Sequence, residues 1–171
     1  MTRLLLLDDE VHVLQALKRE LRLQLPALQI ECFSNPYDAI ERVCEHEFDV
    51  AIADYRMPEM SGVAFLQTLM DIAPDTVRMM LSASTEFDIA LSAINEAQVF
   101  RFIPKPWQPA ELEGNIRQAL ELRARLLAER DPTRAPGQPP ATPQEAEAER
   151  LEAEEPGILH VKRAPDGSII L

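Results

Sequence analysis

Through the first 130 residues, short runs rich in apolar residues alternate with longer stretches whose apolar residues recur at steps of three and four. The runs at 4–7, 28–33, 50–53, 77–81 and 99–103 predict strands. The run at 50–53 shows no alternation, which suits a strand buried on both faces of a helix-covered parallel sheet. The periodic stretches predict amphipathic helices. The first spans 11–25 on Val11, Leu14, Leu17, Leu21 and Leu25, and Pro26 stops it. The second starts at Ser34-Asn35-Pro36, a polar cap followed by proline in the first turn, and runs through Ala39, Ile40 and Val43 to about 45. A third, at 63–72, places Phe65, Leu66, Leu69 and Ile72 on one face. A fourth opens at Ser84-Thr85-Glu86 and carries Phe87, Ile89, Ala90, Ala93, Ile94 and Ala97. The last runs from 109 to about 130 on Leu112, Ile116, Ala119, Leu120, Leu122, Leu126 and Leu127. Five strands alternating with five helices predict an α/β fold, a doubly wound five-stranded parallel sheet with right-handed crossovers.

Beyond residue 130 the pattern stops. Residues 131–143 hold five prolines and little apolar content, so an extended linker is expected. Residues 144–155 carry six glutamates and one arginine, a composition open to either a short exposed helix or a solvated chain. Residues 158–171 contain Pro165-Asp166-Gly167, a turn signal between two β-prone runs, and predict a short β ribbon. The chain therefore divides into a domain at 1–124, a helix extension with a Pro-rich and acidic linker at 125–157, and a hairpin-like tail at 158–171.

Composition narrows the function. A net charge of −12 argues against binding to nucleic-acid phosphates or an anionic membrane surface. The two cysteines, Cys32 and Cys44, are too few for a disulfide framework and are expected as reduced thiols in a cytoplasmic protein. The amino terminus has only four consecutive leucines before Asp8, too few for a signal-peptide core, and no run reaches membrane-spanning length.

Four of the five predicted strands deliver a polar or charged group at their carboxyl ends: Asp8 and Asp9, Asp54, Ser82, and Lys105. In a parallel sheet these ends share one edge, where ligands of open α/β sheets bind. Singly, each has an ordinary structural explanation, as a cap, a turn residue or a solvated charge. Jointly, three carboxylates would repel unless a cation joins them, and oxygen ligands in that number suit Mg²⁺. A lysine and a hydroxyl beside such a cation suit a phosphoryl group, with Asp54, alone on the central strand, as the nucleophile.

Residues 4–10, 54–62, Leu81-Ser82-Ala83 and Phe102-Ile103-Pro104-Lys105-Pro106 together resemble the receiver domain of bacterial two-component response regulators, over about residues 3–124. The resemblance implies the flavodoxin-like receiver fold. It implies Asp54 as phosphoacceptor, Asp9 and Asp54 as direct Mg²⁺ ligands with the backbone carbonyl of Arg56, and Asp8 acting through water. It implies Ser82 and Lys105 as phosphoryl-binding groups, Ser82 and Phe102 as the switch pair, and a cis bond between Lys105 and Pro106. Arg56 and Ser84 take positions that border the phosphate in this family, while Pro104 is a less usual residue before the lysine. Residues 99–102 with Lys105-Pro106-Trp107 are similar to receivers that precede cyclic-dinucleotide phosphodiesterase domains.

The expected function is a two-state switch, not an enzyme acting on a separate substrate. A histidine kinase or phosphotransfer protein would load Asp54, and output would pass through the surface of the fourth helix, fifth strand and last helix to a protein partner. No cofactor besides Mg²⁺, no nucleic acid and no membrane is expected. The last helix is longer than a receiver needs, so the turns at 120–127 are expected to mediate dimerisation or partner docking. An adaptor or phosphate sink whose tail is the effector is the alternative. An aspartyl-nucleophile phosphatase is disfavoured because positions 8 and 10 are Asp and Glu, not two aspartates.

Overall fold

A computed structural model describes residues 1–83 and 95–130. The strands are β1 (Arg3–Leu7), β2 (Gln29–Phe33), β3 (Val50–Asp54), β4 (Val77–Ala83) and β5 (Arg101–Lys105). The helices are α1 (Val11–Gln24), α2 (Pro36–Glu45), α3 (Gly62–Ile72) and, last in the chain, α4 (Pro109–Arg130), with a helical turn at residues 95–97 before β5. All neighbouring strands pair in parallel, in the order β2-β1-β3-β4-β5. This is the five-stranded α/β sheet that the alternating pattern predicts. Chain contacts separate Met1–Pro132 from Thr133–Leu171, so the whole of α4 belongs to the first unit. The predicted linker, acidic stretch and ribbon lie outside the described residues, as do Ser84 and most of the predicted fourth helix.

The leucine run of β1 is fully buried because successive side chains feed opposite faces. Leu4 and Leu6 pack with Val50, Ile52, Met79 and Ile103 under α1 and α4. Leu5 and Leu7 pack with Ala51, Ala53 and Met80 under α2 and α3. Asn35 caps α2 by accepting the Tyr37 N–H at 2.8 Å, with Pro36 in the first turn as predicted. Ser61 caps α3 by accepting the Ala64 N–H at 3.1 Å.

Several expectations need correction. Val11 is 54% exposed and Ile72 42% exposed, because each sits at a helix end where the packed face runs off the sheet. The fifth strand starts at Arg101, not at residue 99. The chain turns at Gln98, with φ of 48°, and at Phe100, whose N–H reaches the Arg78 carbonyl, before it joins the ladder. Arg78 is buried, and its guanidinium donates to the carbonyls of Ala97 at 3.0 Å and Thr76 at 2.9 Å. Burial pulls the Arg78 pKa down. Separately from these corrections, Leu120 and Leu122 are partly buried against the domain's own core and Arg123 pairs with Asp49 at 2.6 Å. Among the described residues, no helix is long and apolar enough to cross a membrane.

Candidate functional site

The strand order reverses between β1 and β3, which lie side by side although a whole helix-strand-helix excursion separates them in sequence. The register aligns Leu7 with Ala53, so the next residue of each strand, Asp8 and Asp54, emerges at the same point of the carboxyl edge. Such a reversal leaves a crevice that no crossover covers. Asp8 is 0% exposed and Asp54 7% exposed, while Asp9 is open to solvent. One carboxylate oxygen from each of the three lies within 4.8 Å of the others.

Lys105 completes the cluster from the far edge strand. Its side chain reaches across β4 to place Nζ 2.8 Å from Asp8 Oδ2 and 2.9 Å from Asp54 Oδ1. The opposite oxygen of Asp8 accepts the Glu10 N–H at 2.9 Å, which fixes the carboxylate in the turn that leads into α1. Glu10 makes no side-chain cap on α1, and Asp8 serves both the helix entry, through one oxygen, and Lys105, through the other.

Burial pushes the Asp54 carboxyl above the usual carboxylate range, the hydrogen bond from Lys105 pulls it back, and the charge of Asp8 pushes it up again. Burial pulls the Lys105 ammonium down, but its hydrogen bonds to Asp8 and Asp54 outweigh this and hold it above its ordinary value. The lysine is thus a fixed cation between two buried carboxylates. An ammonium answers only part of three negative charges, and the oxygen-only donor set fits a hard divalent cation.

Ser82 and Lys105 leave adjacent strands at the same edge, with Ser82 opposite Pro104 and Ala83 opposite Lys105. Pro104 is tolerated because β5 is an edge strand. The Lys105–Pro106 peptide is cis, as the resemblance implies. Phe102 pairs with Met80 and is partly buried against the α2–α3 side of the core. Arg56 is exposed in the loop between β3 and α3. Ser84 lies outside the described residues.

Two groups escaped the reading of the sequence. Gly62 packs so closely behind Asp54 that a Cβ there would stand 2.2 Å from the Asp54 carbonyl oxygen. Its N–H meets the Tyr55 carbonyl at 2.9 Å and curls the loop back onto the strand end. The glycine after a capping serine was the available signal. Asp49, at the opposite end of β3, accepts the Arg3 N–H at 2.7 Å and pairs with Arg123, a link that nothing local in the sequence discloses.

Comparison with known proteins agrees with the fold. Residues 4–117 match the family described as the response regulator receiver domain. The chain is 40% identical over 120 residues to the hydrogenase transcriptional regulatory protein HoxA of Bradyrhizobium diazoefficiens, covering 70% of this chain and 24% of that protein. It is 34% identical over 117 residues to the response regulator protein TodT of Pseudomonas putida, covering 68% of this chain and 50% of that one. A crystal structure of a response regulator receiver domain protein from Clostridium thermocellum superimposes with a TM-score of 0.67 at 27% identity, covering 74% of this chain and 99% of that one. The matched region is a quarter to a half of the length of these two curated relatives. The name of the first, a transcriptional regulatory protein, lends no support to an output free of nucleic acid.

Proposed function

This chain belongs to the response regulator receiver family, and from that premise we propose that it is a phosphorylation switch with Asp54 as the acceptor. The observation that carries the reading is Lys105 Nζ held between Asp8 and Asp54, at 2.8 and 2.9 Å, where the strand order reverses. A histidine kinase or phosphotransfer protein is the donor. An Asp54 carboxylate oxygen bonds to phosphorus as the P–N bond of the donor phosphohistidine breaks, and the leaving imidazole keeps the electron pair and takes up a proton.

Each residue has a part in that exchange. Lys105 draws charge from the transferring phosphoryl oxygens and ceases to be shared by the two carboxylates alone. Asp8 holds the lysine through one oxygen and the α1 turn through the other. Ser82, at the neighbouring strand end, hydrogen-bonds a phosphoryl oxygen, and Phe102 follows that movement toward the core. Asp9 and Asp54, with the Arg56 backbone carbonyl, would hold Mg²⁺ directly and Asp8 through water. When bound, that cation supplies neutralisation of the charge developing on the phosphoryl oxygens. The chain catalyses only its own phosphorylation and dephosphorylation. Its output surface combines the predicted fourth helix, β5 and α4, and acts on a protein partner. A cytoplasmic setting belongs to the same reading, supported by Cys32 and Cys44 being free thiols.

The test is incubation with Mg²⁺ and a small phosphodonor, wild type beside Asp54→Asn. Mass spectrometry should find one added phosphoryl group in the wild type only. Equal labelling of both proteins would refute the assignment.

A further inference from the structure

The strand that carries Lys105 does little to fix its own place in the sheet. β5 is an edge strand of five residues, of which Ile103 alone is fully buried, and Pro104 has no N–H to donate. A strand with so little buried specifies its register weakly. Register matters because side chains alternate between the two faces of a sheet. A slip of one residue would carry Lys105 about 3.3 Å along the strand direction and turn it to the opposite face. Nζ would then lose its places at 2.8 Å from Asp8 and 2.9 Å from Asp54.

We propose that Arg78, near the end of β4 remote from the site, is a positioning residue that pins the register of β5 and thereby holds Lys105 between the two carboxylates. Three observations support it. Arg78 grips both sides of the turn that enters β5: its Nε donates to the Ala97 carbonyl at 3.0 Å, and its backbone carbonyl accepts the Phe100 N–H at 2.8 Å. The grip is itself anchored beside β3, since Arg78 Nη1 donates to the Thr76 carbonyl at 2.9 Å and the Thr76 hydroxyl to the Phe48 carbonyl at 2.8 Å. Between the gripped residues Gln98 holds φ at 48°, a conformation that a residue other than glycine keeps only where its surroundings impose it. An apolar side chain would fill the same space without the desolvation cost of a buried guanidinium. What arginine adds is a rigid fork of donors that binds several carbonyls at once. From that fixed entry the ladder runs in step, Arg101 opposite Met79 through Lys105 opposite Ala83.

The inference rests on the reading of Asp54 as phosphoacceptor, and its test on the full chain keeps the two apart. Arg78→Met keeps an unbranched stem and removes the donors. Amide exchange across residues 97–105 should speed by about tenfold, without any phosphodonor, while β1 and β3 stay protected. With Mg²⁺ and the small phosphodonor, labelling of Asp54 should slow by about tenfold or more, as when other reacting groups are displaced. In a Lys105→Ala background Arg78→Met should slow labelling no further, because it acts through that lysine. Arg42→Ala, which loosens the opposite edge of the sheet, should label at the wild-type rate, so lost stability alone is not what the assay reads. If Arg78→Met loses the protected amides of β1 and β3, Arg78→Lys, which keeps the charge and one donor group, replaces it in each measurement. Unchanged exchange at 97–105, labelling at the wild-type rate, equal slowing in Arg42→Ala, or a further loss in the Lys105→Ala background each overturn the proposal. A wild type that takes no label refutes the Asp54 assignment instead, and amide exchange then decides whether Arg78 pins β5.

Discussion

At the scale of single residues, Gly62 and Lys105 show two ways in which the site depends on atoms that are absent or shared. Gly62 is required by proximity, not by an unusual backbone angle. A methyl group there would lie 2.2 Å from the Asp54 carbonyl oxygen, and backbone cannot yield as a flexible side chain can. Gly62→Ala should therefore displace the loop that carries Arg56 and cost about 1–3 kcal/mol, the usual range for overpacking. Urea denaturation would read the stability, and the phosphodonor assay should show slowed labelling of Asp54. Wild-type stability in this variant would mean that the loop can retreat freely. Lys105 was legible as a strand-end charge, but its sharing between Asp8 and Asp54 was not, since the partners lie 97 and 51 positions away and only the sheet order brings them within reach.

Among the elements, the edge strand β2 is tied to α2 by a two-pronged ion pair. Arg42 Nε donates to Glu31 Oε2 at 2.8 Å and its NH2 group to Oε1 at 3.2 Å. The hydrogen bonding from Arg42 pulls the Glu31 carboxyl below its ordinary value, against the opposing push of burial. A carboxyl depressed by folding contributes stability above its unfolded pKa, and that contribution disappears as pH falls through the folded value. Wild type should therefore exceed Arg42→Ala in stability at neutral pH, and the gap should close as the solution is acidified below the ordinary carboxylate range. Urea midpoints of both proteins at several pH values would show it, and a gap independent of pH would assign the effect to packing of the arginine stem. The elements themselves were largely legible. Asn35-Pro36 and Ser61-Gly62 carry their own start signals, and Pro74 marks a stop. The start of β5 was not legible, because the turn at Gln98 is organised by Arg78, a residue of the preceding strand that donates to the Ala97 carbonyl.

For the molecule as a whole, a cation held by the carboxylate cluster, as proposed, would make folding and cation binding one equilibrium. A cation that binds only the folded chain stabilises it by mass action, about 2.7 kcal/mol at a hundredfold excess over the dissociation constant. Mg²⁺ should accordingly raise the unfolding temperature of the wild type more than sodium chloride of equal ionic strength does. Removing Asp9 and Asp54 together, as asparagines, should abolish that difference; its survival would place the cation elsewhere on this acidic surface. At the same scale the division between sequence and structure becomes clear. The alternation of strands and helices, the burial of the leucine run at 4–7 and of residues 50–53, and the residue types at the strand ends follow from local periodicity and caps and are legible in the sequence. The meeting of Asp8 and Asp54 with one lysine between them, the burial of Arg78 among carbonyls and the return of Arg123 to Asp49 come from the folded arrangement of the strands. The Arg78–Ala97, Asp49–Arg123 and Asp8–Lys105 pairings join residues 19, 74 and 97 positions apart, and strand order and register, not local preference, set which of them meet.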